Sequence, residues 1–396
     1  MKKICLFLLM LGILNFSQAF SKEEFKNIGI AKYAVLETTK DNAPLRISPD
    51  ENAKRVSDLY KDTVLYATQE SKNYYKIKLE ENKTAYINKS QAQLQAVIPE
   101  KRQDNIEKVV FKEKKDRFEF EIFTKTLTPF SFEQDGKNLS FKLYDSFFNP
   151  INFEGKLKNK INIPNTIEDS FSFEYSSPYP LFGYDLEKTD FGYLATIKKA
   201  PKLKKNPLKK IKITLDPGHG GTETGVCANG LKEKDINLQI TKKLKKELSR
   251  SGAKVYLTRK KDKKFGLYQR IAFAKEKNSD IFLSIHQNSL PNWKDIDKKY
   301  GVGTYYYQEH SKELARKILT NLEKDTGFRN DGLNYASFAV IRPTSQLGVL
   351  VECGYLIRLE EAQKLKDKKF QKTIAKSIAR ACKEFLKETY ASNISL

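Results

Sequence analysis

The sequence predicts an α/β domain over residues 211–390, preceded by two small all-β domains over residues 31–97 and 105–197. Three observations predict it. Apolar residues recur at every second position through much of the first half of the chain, the period of half-buried strands. Beyond a Lys/Pro-rich stretch at residues 198–210, short apolar runs alternate with apolar residues spaced four apart, the rhythm of a strand–helix layer. The 396 residues, 39% hydrophobic and 12% aromatic, also suffice for two or three domains with real cores.

Lys2 and Lys3 precede an apolar run at residues 4–16 and the small-residue exit Ser17-Gln18-Ala19. Residues 1–19 therefore read as a secretory signal peptide cleaved after Ala19. Cys5 lies inside the apolar run and is no lipid-anchor cysteine. No second apolar stretch approaches about 20 residues, so no transmembrane segment is expected after cleavage. The expected location is across the inner membrane, in a periplasm or cell wall. A mean hydropathy of −0.59 argues against a multi-span membrane protein. With 72 Lys+Arg against 49 Asp+Glu the net charge is +23. The lysines are spread along the whole chain, so the charge either simply solvates the surface or, in an exported protein, faces an anionic envelope polymer, with no nucleic acid expected as partner. Cys227, Cys353 and Cys382 remain after cleavage, odd in number and without a CxxC pair, which excludes a disulfide scaffold and a thiolate zinc site.

In residues 31–97, Tyr75, Ile77 and Leu79 alternate with Lys76 and Lys78. Strand-like segments at residues 45–49, 62–65, 73–77 and 84–87 follow one another between turns. Their order and spacing resemble the bacterial SH3-like domain, with Tyr74 standing where a Trp is usual and Ala85-Tyr86 where Gly-Trp is usual. In residues 105–197 the sets Phe118/Phe120/Ile122, Leu139/Phe141/Leu143, Phe171/Phe173/Tyr175 and Tyr193/Ala195/Ile197 alternate with polar residues, which predicts a sandwich without any chemical motif. Residues 198–210 carry two prolines and seven lysines and read as a linker. After it come strands at residues 211–215, 255–257, 281–285, 305–307 and 347–351. Helices are marked by Ile236/Ile240/Leu244/Leu248, by residues 267–275, by Leu314/Ile318 and by Phe370/Ile374/Ile378/Phe385, with Cys382 on the last apolar stripe.

The chain has three histidines, and two of them end predicted strands. His219 lies in Asp216-Pro217-Gly218-His219-Gly220-Gly221 and His286 in Ser284-Ile285-His286-Gln287-Asn288. Ligands collect beyond the carboxyl ends of strands in open α/β sheets, so both imidazoles are placed to enter one crevice. Catalytic zinc takes three protein ligands and keeps a position open. Glu233, opening the helix that bears Ile236, is either the third ligand or a carboxylate serving the helix dipole. His310 reads as a polar helix start and a poor ligand. Glu352 ends a buried strand, where a carboxylate is costly unless it pairs or works. Cys353 invites a thiol-nucleophile reading, but no histidine is left to activate it once a metal has taken two.

Four motifs follow in order: Asp216-Pro217-Gly218-His219-Gly220-Gly221, Glu233-Lys234-Asp235-Ile236-Asn237-Leu238, Ser284-Ile285-His286-Gln287-Asn288, and Val351-Glu352-Cys353-Gly354-Tyr355-Leu356. Together they resemble the zinc-dependent N-acetylmuramoyl-L-alanine amidases of bacterial cell-wall remodelling; Leu257-Thr258-Arg259 and the Arg270 helix fit as well. The resemblance covers roughly residues 210–388. It implies that His219, Glu233 and His286 bind Zn2+ and that Glu352 is the catalytic acid/base. It also implies a mostly parallel sheet flanked by helices, peptidoglycan as substrate, and a role in daughter-cell separation. The chain departs from many relatives at Ile357-Arg358, a position thought to shape substrate contacts. Only about eighteen residues separate His286 from the strand at Tyr305, too few for the inhibitory helix some relatives insert there, so restraint is expected from the β-domains or localisation. Two rival readings are a non-catalytic peptidoglycan-binding or activator protein with a degenerate site, and another zinc hydrolase; filled chemical positions oppose the first and motif order the second.

Overall fold

A computed structural model describes residues 24–28, 33–100, 104–148, 152–156, 161–163, 170–203, 205–290 and 298–390. The predicted signal peptide lies outside the described residues. Among the described residues, no helix is long and apolar enough to cross a membrane. They fall into two compact units: one reaching Pro178 and including Asp185–Ile197, the other comprising Tyr179–Tyr184 and the chain from Lys198 onward.

The first unit is rich in strands. Ala43–Arg46, Val64–Glu70, Tyr74–Glu80 and Lys83–Asn88 overlap the four segments read from sequence, the first two only at residues 45–46 and 64–65, inside an eight-stranded antiparallel sheet that also holds Tyr33–Thr38, Arg55–Leu59 and Ala92–Ile98. Ile77 and Leu79 are buried and Lys78 between them is not, as period two requires, but at the start of the strand Tyr74 rather than Tyr75 is buried. Farther along, Lys108–Glu113 and Arg117–Phe123 belong to a five-stranded sheet, and Asn138–Tyr144 and Ser170–Ser176 to a four-stranded one. The two face each other through rings: Phe120 stacks on Phe173 at 4.1 Å and Phe118 meets Tyr175 at 5.3 Å.

The second unit is an α/β layer whose elements, in chain order, are β1 (Lys212–Pro217), α1 (Glu233–Arg250), β2 (Lys254–Leu257), α2 (Leu267–Glu276), β3 (Ile281–Asn288), β4 (Val302–Tyr306), α3 (Lys312–Thr326), β5 (Asn330–Tyr335), β6 (Leu347–Tyr355), α4 (Leu359–Lys366) and α5 (Lys368–Thr389). The sheet order is β2-β1-β3-β6-β4-β5. β2, β1, β3 and β6 run parallel, whereas β4 is antiparallel to β6 and β5 parallel to β4. Ile213, Leu215, Ile281, Leu283, Ile285, Leu347, Val349 and Val351 point to one face, where the apolar stripes of α1, α3 and α5 cover them. Phe282 and Leu350 point the other way, against Ala274 of α2 and Ile341.

Two features were not in the sequence reading. β5 reads Asn-Asp-Gly-Leu-Asn-Tyr and is only half-buried at the sheet edge, so it lacks the apolar pattern that marks a strand. The stretch at residues 198–210, expected to be a solvated linker, buries Leu203 and Leu208 in the core of this unit. Its lysines set the composition, but two leucines decide where it packs.

Candidate active site

The carboxyl ends of β1 and β3 bring the two histidines together. β1 runs into Gly218 and His219, and His219 adopts φ +60°, a left-handed conformation rare outside glycine. Two buried arginines hold this turn by its carbonyls. Arg259 donates to Pro217 O at 2.9 Å, Gly218 O at 2.9 Å and Lys234 O at 2.7 Å. Arg270 donates to Pro217 O at 3.1 Å and His219 O at 3.0 Å while pairing with Asp216 at 2.5 Å. Burial, with the charge of Arg270 beside it, pulls the Arg259 guanidinium down from its ordinary value, and Asp216 opposes that.

Glu233 opens α1, and a parallel layer puts the amino ends of its helices at the carboxyl ends of its strands. Its carboxylate therefore reaches the crevice. Oε1 accepts from His286 Nδ1 at 2.9 Å, the Gln287 amide at 3.1 Å and Asn237 Nδ2 at 3.1 Å; Oε2 accepts from the Val226 amide at 2.9 Å. His219 Nε2 is buried 3.2 Å from Oε2 and makes no hydrogen bond. Burial alone would raise the Glu233 pKa, but the two imidazoles outweigh it and hold the group ionised, well below the usual carboxylate range. Burial lowers the His286 pKa despite the pull of Glu233, favouring the neutral ring, which is the ligand form.

The packing is close enough to need glycine twice. A methyl group on Gly225, which has φ +63°, would stand 2.7 Å from His219 Cδ2 and 2.8 Å from Glu233 Cβ. One on Gly218 would overlap the ring of His286, standing 2.7 Å from Nδ1. One donor atom from each of His219, Glu233 and His286 lies within 4.8 Å of the others. Two imidazoles and a carboxylate are a zinc donor set, and the uncommitted Nε2 of His219 fits that use.

Glu352 sits beside this group because β3 and β6 pair His286 with Glu352 in register. It is buried, and its Oε2 has no hydrogen-bond partner. Burial first, then the charges of Glu233 and Asp331, push its pKa well above the ordinary value. A buried carboxyl with one unpaired oxygen and a raised proton affinity can hold and release a proton.

Residues 213–384 match the family model Amidase_3, N-acetylmuramoyl-L-alanine amidase. Over 176 residues the chain is 32% identical to YqiI, an uncharacterized protein of Bacillus subtilis, covering 43% of this chain and 83% of that one. The chain belongs to the Amidase_3 family. It is also 37% identical over 178 residues to the N-acetylmuramoyl-L-alanine amidase LytC of Bacillus subtilis, covering 44% of this chain. That match spans only 35% of the length of LytC. A solved amidase structure from Clostridium difficile 630 aligns at 31% identity with a TM-score of 0.43, over 45% of this chain and 97% of that one.

The amidase region brings together the four residues singled out from sequence and leaves the others apart. His310 is a core residue: its Nε2 meets Gln346 O at 3.2 Å, its ring meets Tyr184 at 5.4 Å, and burial pulls its pKa down to about 4. Cys353 and Cys382 are buried and Cys227 is exposed; burial pushes the Cys353 thiol up, away from a nucleophilic thiolate. Arg358 lies 4.3 Å over the ring of Tyr300 and 3.8 Å from Glu361. Of the stretch between His286 and β4, residues 291–297 lie outside the described residues.

Of the supports, the sequence offers Asn288 evenly as a hydrogen-bonding residue near the site or a turn residue closing the strand, and misses Asn237 and Asp331. Asn237 holds Glu233 Oε1 and Gly218 O, and accepts from Gln287 Nε2 at 3.1 Å. Its position four residues after Glu233, on the same helix face, was the available signal. Asn288 donates to Tyr355 OH at 2.8 Å and Asp331 Oδ2 at 3.2 Å, and Tyr355 OH donates to Asp331 at 2.6 Å. Asp331 lies on the unread strand β5, and nothing in the sequence pointed to it.

Proposed function

We propose that this chain is an exported, zinc-dependent N-acetylmuramoyl-L-alanine amidase. It would hydrolyse the amide between the lactyl group of N-acetylmuramic acid and the L-alanine of the peptidoglycan stem. The observation that carries this reading is the donor set of His219, Glu233 and His286, gathered within 4.8 Å, with the buried carboxyl of Glu352 paired in register beside it. Secretion after cleavage at Ala19, an SH3-like domain over residues 31–97, a β-sandwich over residues 105–197 and a role in daughter-cell separation belong to the same proposal.

In this reading His219, Glu233 and His286 hold the zinc ion. When bound, zinc supplies Lewis acidity, bringing the pKa of water toward about 7 and polarising a carbonyl oxygen. Asn237, the Gln287 amide and the Val226 amide fix the Glu233 carboxylate, while Arg259 and Arg270 fix the turn that carries His219. Glu352 takes a proton from the attacking water and delivers it to the departing alanine nitrogen. The products are the muramyl lactyl carboxylate and a stem peptide with a free amine. The raised proton affinity of Glu352 suits this shuttle.

The test is to incubate the mature chain with defined muropeptides, zinc-loaded and chelated, and identify products by mass spectrometry. Zinc-dependent release of free stem peptide is expected, falling on the order of 10²–10⁴-fold in Glu352→Gln with metal binding retained. Bound zinc without cleavage would favour a wall-binding protein.

A further inference from the structure

The two longest helices of the amidase region share a solvent face with an unusual charge. On α5, Lys369, Lys372, Lys376, Lys383 and Lys387 fall three, four or seven residues apart and are exposed, a single stripe along a helix of about 33 Å. On α1, Lys242, Lys245 and Lys246 lie on the surface. The helices are clasped side by side, Lys243 Nζ donating to Gln371 Oε1 at 2.9 Å and Gln371 Nε2 to Gln239 Oε1 at 2.8 Å. None of these eight lysines meets an anion among the described residues, and the acids nearby are engaged elsewhere: Glu247 with Arg250, Glu384 with Arg380, and Glu388 with Lys317 of α3.

A stripe of this length is absent from the shorter helices, although Lys324 of α3 and Lys366 of α4 also lack an acidic partner among the described residues. Neighbouring α3 pairs Lys312 with Glu309, Arg316 with Glu313 and Lys317 with Glu388. Unpaired like charges three and four residues apart weaken a helix, so the α5 stripe is maintained at a cost in stability that an anionic partner would relieve. Burial and the adjacent Lys368 already hold the Lys243 ammonium below its ordinary value. The stripe is long and straight, and its lysines follow one another at intervals of about 4.5 to 10.5 Å along the axis. Among the described residues the exposed large apolar side chains lie off both helices, leaving nothing on this face to insert into a bilayer.

We propose that the α1–α5 face binds a linear phosphodiester polymer of the cell envelope, its backbone lying along α5. The placement of that polymer in the envelope rests on the amidase reading; the anionic linear chemistry does not.

The probe is poly(glycerol phosphate), titrated into the full mature chain at several salt concentrations. The fourfold variant Lys369→Gln/Lys372→Gln/Lys376→Gln/Lys383→Gln keeps helix propensity almost unchanged. At about 0.7 per phosphate contact, it should flatten the slope of log Kd against log salt by about 3 and weaken binding at least about tenfold at low salt. Arginine at the same four positions should preserve binding, and Lys242→Gln/Lys246→Gln should weaken it independently. Cleavage of a small soluble muropeptide should be unchanged in all variants; if no variant or wild type cleaves it, the amidase reading fails while the binding comparison still stands. Affinity and salt slope unaltered by the glutamines would overturn the proposal. So would tighter wild-type binding to phosphatidylglycerol vesicles or to single-stranded DNA than to the polymer.

Discussion

Gly218→Ala isolates how tightly the proposed metal donors are held. Gly218 lies outside the left-handed region, so alanine is compatible with its backbone and only the added methyl matters. That methyl would overlap Cε1 and Nε2 of His286 and stand 2.7 Å from Nδ1. Carbon contacts settle near about 3.5 Å, so something must move by about 1 Å. The backbone is poorly placed to yield: Gly218 N donates to Ile285 O at 3.0 Å, and its carbonyl is held by Arg259 and Asn237. The ring moves instead, breaking its 2.9 Å bond to Glu233. Zinc ligands tolerate displacement of only about 0.2 Å, so an affinity loss of at least about 10–100-fold is expected, with an overpacking cost of about 1–3 kcal/mol. Competition with a chromogenic chelator reads the affinity, and urea unfolding reads the stability. Wild-type zinc affinity in a fully folded variant would refute the reasoning.

Other consequences are equally direct. Arg270→Met leaves Asp216 buried without its cation and should destabilise the amidase region by about 3–5 kcal/mol in urea unfolding; adding Asp216→Asn should recover part of the loss. His310 is held near pKa 4 in the folded chain against 6.5 in the unfolded one, so the unfolded state binds the extra proton first. Its contribution is complete above pH 6.5 and fades as pH falls toward 4, amounting to about 3 kcal/mol at 1.36 kcal/mol per unit. His310→Phe should therefore flatten the acid limb of stability against pH; an identical limb in both proteins would show that His310 is not buried as described. Asn237→Ala removes the bridge between Glu233 and Gly218 and should lower zinc affinity about 10-fold with cleavage products unchanged, as read by the same chelator competition.

The strands and helices with strong periodicity were legible from sequence because one face of each is buried. Lys78 between Ile77 and Leu79, or Ile236 through Leu248 at four-residue spacing, leaves little choice of face. β5 was not legible because an edge strand half-exposed to water has no need of an apolar alternation. Direction was equally hidden. Tyr305 signalled a strand, but only pairing of Gly303 with Glu352 and Tyr305 with Leu350 shows that β4 runs against β6. The Lys/Pro stretch was misjudged because lysine count describes solvation, whereas Leu203 and Leu208 fill core space.

For this protein the sequence by itself determined the inventory of candidate site residues: two histidines ending strands, a glutamate opening a helix and a glutamate at the end of a buried strand, in an order shared with a family. Each is a local fact, written in residues a few positions apart. What only the tertiary structure decided is how those side chains are charged and held. Glu233 stays ionised and Glu352 favours its proton because the same burial is offset by two imidazoles at one carboxyl and reinforced by two carboxylates at the other. Asn237 and Asp331 enter the picture, and Arg259 and Arg270 gain their partners, because strand pairing and helix docking bring distant segments within hydrogen-bond reach. Electrostatics depends on separation in space, which spacing along the chain does not encode.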